Sequence, residues 1–124
     1  MVSLQRARTI IKRNFDTYER GLLDGKEVST DWSVTFCKDL SCGTCPLMGK
    51  RLCLGPGYFI YYRIYHAMCT EIELGNIVKA LGLLYTLQDK VLGDISIKIK
   101  ESRMWLYIYV FYLLFNKVFC ILYT

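Results

Sequence analysis

"NIVKALGLLYTLQDKVLGDISIKIK", residues 76–100, is the stretch whose reading decides the fold. Up to Leu92 it predicts a helix, with Ile77, Leu81, Leu84, Leu87 and Val91 recurring at three- and four-residue spacing on one buried stripe. Gly93-Asp94 is expected to stop that helix, as glycine after the last periodic residue commonly does. The six residues beyond, "ISIKIK", alternate apolar and polar side chains, which predicts either a short strand or an extended connector.

Upstream, "YFIYYRIYHAMCTEIE" (58–73) predicts another helix. Tyr58, Tyr61, Tyr62, Tyr65 and Cys69 fall on one side, and Phe59, Ile60, Ile64 and Met68 fill much of the remainder. A helix apolar nearly all round is expected at the centre of a core. At the start of the chain, Ser3 reads as an N-cap, followed by Leu4, Ala7, Ile10, Ile11, Phe15, Tyr18 and Leu22 at helical spacing. Gly21 and Gly25 are expected to mark its end. The opposite face carries Arg6, Arg13 and Arg20, each seven apart, beside Arg8 and Lys12. Such a row is either a solvated face or, with Lys50 and Arg51, a contact surface for phosphates or another partner.

Between the first two helices lies "FCKDLSCGTCPLMGKRLC" (36–53), which holds four of the six cysteines. The spacing is Cys37-x4-Cys42-x2-Cys45-x7-Cys53. A tetrahedral metal needs four soft ligands, and a Cys-x2-Cys turn supplies two from one knuckle. Gly43 allows the turn, and Pro46 and the "GPG" at 55–57 block helix through the region. A long stretch without periodicity needs something to order it, and a metal would serve. Zinc is the expected ion on ligand type and count. An iron–sulfur cluster is the first alternative, ahead of disulfides or unliganded thiols: the opening Cys-x4-Cys-x2-Cys resembles the start of the plant-type ferredoxin pattern, although the fourth cysteine comes too soon for it. His66 and Cys69, three apart on the second helix, are alternate ligands or ordinary packing residues.

Downstream, "MWLYIYVFYLLFNKVFCILYT" (104–124) contains a single charge, Lys117. As a helix it would span about 31 Å, close to the thickness of a hydrocarbon core. Trp105 and Tyr107 stand at one end and Tyr123 at the other, and Lys98, Lys100 and Arg103 precede it. Two other readings are a buried hairpin turning at Asn116-Lys117, and an incidental tail under little selection.

Composition frames these readings. Of 124 residues, 53% are hydrophobic and 15% aromatic, enough for one domain with a real core. Sixteen basic against eleven acidic side chains give a net charge of +5, compatible with phosphate or acidic lipid but demanding neither. The opening residues lack an uninterrupted apolar run and a small-residue cleavage site, so a reducing compartment is expected, where clustered thiols bind metal more often than they form disulfides. The single histidine and the lack of any nucleophile elbow, phosphate loop or zinc-protease motif argue against an enzyme.

The expected protein is therefore mainly α. It has a small helical domain (1–103) with a metal-ordered cysteine knuckle at 37–53, followed by an apolar segment (104–124) as a membrane anchor. The expected function is a non-enzymatic interaction module for a protein or nucleic-acid partner, with no small-molecule substrate, its folded part on the cytoplasmic side of a membrane. Alternatives are an iron–sulfur redox or sensing protein and a soluble cytoplasmic nucleic-acid binder.

Overall fold

Ser3 opens the first helix as its sequence suggests: its side-chain oxygen accepts from the backbone N–H of Arg6 at 3.1 Å. In the computed structural model, which describes residues 3–29, 35–41, 45–47 and 59–123, this helix, α1, runs Leu4–Leu23. Ala7, Ile10, Ile11, Phe15, Tyr18 and Leu22 are buried along it, and Leu4 packs at the core's edge. It ends where Gly25 takes φ +69°. There the Lys26 N–H bonds the Gly21 carbonyl at 3.0 Å and the Gly25 N–H the Leu22 carbonyl at 3.2 Å, which satisfies two orphan acceptors. Gly21 itself stays inside the helix.

The second helix, α2 (Phe59–Glu73), and the third, α3 (Ile77–Tyr123), form an antiparallel pair joined at Gly75. Gly75 has φ +79°, and the Asn76 and Gly75 N–H groups close back onto the Glu71 and Ile72 carbonyls at 2.9 and 3.0 Å. A side chain at Gly75 would be strained in that left-handed conformation. The described residues form no strand, and the mainly helical class expected from the sequence holds.

Two expectations are corrected. The helix begun at Ile77 does not stop at Gly93-Asp94, and "ISIKIK" is neither strand nor connector; both lie inside α3, 47 residues long. Gly93 costs roughly 1 kcal/mol in a helix interior, and tertiary contacts outweigh that cost. Ile95 is fully buried, one turn beyond Val91 and Leu92, and extends the stripe made by Ala80, Leu84 and Leu87. Asp94 accepts from the phenol of Tyr61 and from Lys90 Nζ. The alternation in 95–100 is incidental to a helical period that uses Ile95 and, in part, Ile99.

The second correction concerns which helix is central. α2 is not enclosed by the core: Tyr61, Tyr65 and Met68 are buried, whereas Ile60 and Tyr62 are about half exposed at 45% and 46%. The central element is α3, against which both α1 and α2 pack. Arg8 Nε donates to Ser96 Oγ at 2.8 Å and Tyr85 donates to Glu19 Oε1 at 3.1 Å, so α1 runs antiparallel to α3. Between α1 and α2 the gap is filled by Phe36, whose ring lies 4.5 Å from Phe15, 5.2 Å from Tyr18 and 5.9 Å from Tyr65, edge-on to the last. Leu47 is buried in the same cluster.

Candidate membrane-anchoring helix and cysteine loop

Beyond Ile99 the third helix leaves its partners. Every residue from Lys100 to Lys117 is exposed. From Met104 to Phe115 this stretch is entirely apolar or aromatic, with side chains 45–74% exposed. Successive residues of a helix are about 100° apart, so twelve apolar positions in a row cover its whole circumference. The hairpin reading of this segment is overturned: Asn116 and Lys117 continue the helix, and no second limb covers it as far as Lys117. Among the described residues no helix is long and apolar enough to cross a membrane; side chains are described as far as Lys117, and the apolar run up to Phe115 spans about 18 Å. Single exposed hydrophobics are ordinary, but a contiguous surface of this kind marks contact with lipid or another protein.

In the cysteine loop, Cys37 and Cys45 are partly buried against the common core, next to the buried anchors Phe36 and Leu47. Cys42 and Cys53 lie outside the described residues, as do Lys50 and Arg51. Among the described residues, no three His, Cys, Asp or Glu side chains gather as a metal-holding group. The described part of the loop has its own fastening, which the sequence reading missed. Asn14 is 6% exposed and donates through Nδ2 to the Phe36 carbonyl at 3.0 Å and the Lys38 carbonyl at 2.9 Å. The available signal was a lone amide between Ile11 and Phe15 on an otherwise apolar stripe, because a polar group buried there needs partners. Asp39 takes φ +67° just after these contacts.

The alternate ligands sit differently from one another. His66 is exposed and lies beside Tyr62, with ring centroids 6.0 Å apart and the ring planes tilted by 39°. Cys69 is partly buried against the core. Burial pushes its thiol upward, an effect partly offset by a hydrogen bond with Tyr65 and reinforced by Glu73. The neutral thiol is therefore favoured, the opposite of an activated nucleophile. Burial also pushes the Tyr18 phenol well up, and the charge of an ionised Cys69 would add to this. The Tyr18 hydroxyl is buried with no hydrogen-bond partner among the described residues.

Along α1, Arg6, Arg13 and Arg20 are all exposed. Arg13 pairs with Asp39 at 2.8 Å, and Lys12 with Asp16 at 2.6 Å, both as solvent-exposed contacts of small energetic worth. An open cleft of about 590 Å³ beside α1 is lined by Arg13, Arg20 and Lys38 together with Asp24, Glu27 and Asp39. Its charge is mixed, so the arginine row does not make a uniformly positive groove. Compared with known proteins, the chain matches no family model, no curated protein and no solved structure.

Proposed function

We propose that this protein is a non-enzymatic helical module tethered to a membrane through the projecting half of α3, with its helical head offered to a protein or nucleic-acid partner. The observation that carries this reading is the exposed, all-round apolar surface of Met104–Phe115. A helix that lies in the lipid interface, or in a groove of a partner, needs one polar face. A helix apolar on every side is suited to surroundings apolar on every side. The sequence continues with Val118, Phe119, Cys120, Ile121 and Leu122, and α3 extends to Tyr123. From Met104 that makes about 30 Å of helix, enough for a hydrocarbon core, with Lys117 able to snorkel.

Within the head, the cysteine loop is read as a zinc knuckle of Cys37, Cys42, Cys45 and Cys53. The support is the ligand spacing and the seating of Cys37 and Cys45 on one core. Metal content and colour of protein purified without oxygen decide the ion: colourless protein with zinc favours the knuckle, and brown protein with iron and sulfide favours a cluster.

The tether is tested by flotation of the full chain with phosphatidylcholine vesicles followed by alkaline washing. The protein is expected to float and resist the wash. The double substitution Leu113→Lys/Leu114→Lys is expected to release it, since each lysine costs about 2.5–3.5 kcal/mol near the bilayer centre. Full-length protein that stays monomeric in plain buffer and does not float overturns the reading.

A further inference from the structure

We infer that the base of the projecting helix carries a cationic collar, assembled from two helices, that recognises anionic lipid headgroups; the inference rests on the membrane reading above. α1 and α3 pair in one register: Arg8 meets Ser96 and Glu19 meets Tyr85. In each pair the two residue numbers sum to the same value, so Arg6 stands level with Lys98, and the first turn of α1 with Lys100. The start of α1 thus faces the point where α3 leaves its partners. Along the axis of α3, the level of Arg6 is about 9 Å short of Met104. An arginine side chain covers most of that distance.

The charges gathered at this level are unequal. Arg6, Arg8, Lys98, Lys100 and Arg103 stand against Glu101, which pairs with Lys98 at 3.1 Å. Asp94, slightly deeper, is engaged by Lys90 and Tyr61, and Asp16 by Lys12. Arg6, Lys100 and Arg103 are exposed and have no carboxylate within ion-pairing distance among the described residues. Arg8 is held in place by Ser96 rather than by an acid. The amino end of α1 adds its partial positive charge on the same side, and neither Asp nor Glu occupies its first turn. Three unpaired cations on two rigid helices, at the level where an apolar helix begins, match the phosphate and carboxylate plane of an anionic leaflet. The sequence shows Lys98, Lys100 and Arg103 as a run; the contribution of Arg6 and Arg8, some ninety residues away, comes from the register of the packed helices.

Trp105 lies two residues beyond Arg103 and reports the lipids beside the collar. The experiment uses the full chain carrying Trp32→Phe, reconstituted in phosphatidylcholine vesicles that contain headgroup-spin-labelled phosphatidylserine or, at equal mole fraction, spin-labelled phosphatidylcholine. Fluorescence quenching then counts each lipid near Trp105. The acidic lipid is expected to be enriched about fivefold or more over its bulk share, the effect of at least one juxtamembrane cation. That excess is expected to vanish in about 1 M salt, where the screening length is about 3 Å. It is also expected to vanish in the Arg6→Gln/Lys100→Gln/Arg103→Gln variant, whose exposed, helix-compatible changes leave the fold intact. The single change Arg6→Gln separates the two-helix collar from a simple run on α3: an undiminished excess removes α1 from the collar and overturns the inference. Equal quenching by the two lipids overturns the collar but leaves the tether standing. No quenching by either overturns both.

Discussion

The buried phenol of Tyr61 donates a hydrogen bond to the carboxylate of Asp94, joining α2 to the middle of α3 at the residue after Gly93. This bond lies where the sequence suggests the helix should end. Tyr61→Phe removes the donor and keeps the ring, and Asp94→Ala removes the acceptor; each is expected to cost about 1–3 kcal/mol in denaturant unfolding. The double variant is expected to cost less than the sum by about 0.5 kcal/mol or more, and strict additivity would show that the two groups do not interact.

Gly93 sits inside a continuous helix, and a β-carbon built there meets nothing within 4 Å. Gly93→Ala is therefore expected to stabilise the fold by about 0.5–1 kcal/mol. A helix stop with glycine in the left-handed conformation would give the opposite sign, so a single melting comparison separates the two.

Phe36 closes the gap between α1 and α2 with three ring contacts. Phe36→Ala is expected to destabilise the head by about 3–5 kcal/mol. Asn14→Ala, which abandons the Phe36 and Lys38 carbonyls, is expected to cost about 1–3 kcal/mol. Both losses should persist in chelator, because neither acts through a metal. If chelator alone produced the full loss and these variants melted like the parent, the loop would be fastened by metal and not by this cluster.

At the turn between α2 and α3, a hydrogen bond from Asn76 holds the Glu71 carboxyl below its ordinary range, and Lys79 adds to the effect. A lowered acid pKa means stability that is full above the ordinary glutamate value and lost as pH falls through the lower, folded value. Asn76→Ala is expected to move the Glu71 titration upward in carboxyl-detected NMR. An unmoved titration would remove Asn76 as the cause.

Cys69, with its thiol pushed up mainly by burial, is expected to alkylate more slowly at neutral pH than a cysteine in an unstructured peptide. Peptide mapping by mass spectrometry checks this. Fast modification at neutral pH would mean that the face of α2 carrying Cys69 opens to solvent.

What could be read in advance is what short-range chemistry decides. The limits of α1 follow from a hydroxyl within reach of an amide three residues on and from a glycine free to turn left-handed. Its buried face follows from helical spacing alone. The apolar tail was legible as composition, because Lys117 is its only charged side chain. Three features depended on contacts distant in sequence. Gly93-Asp94 is a stop signal by itself, and it became helix interior only because Tyr61 engages Asp94 and the core accepts Ile95. Asn14, a lone amide in an apolar stripe, finds its partners only in the carbonyls of Phe36 and Lys38, more than twenty residues away. Arg8 met Ser96 only through the register of α1 on α3. Caps and periodicity are decided within a turn or two of the chain, and the sequence by itself determined them. Whether a marginal helix continues, and which charges stand side by side, depends on free energies supplied by other helices, and only the tertiary structure decided those.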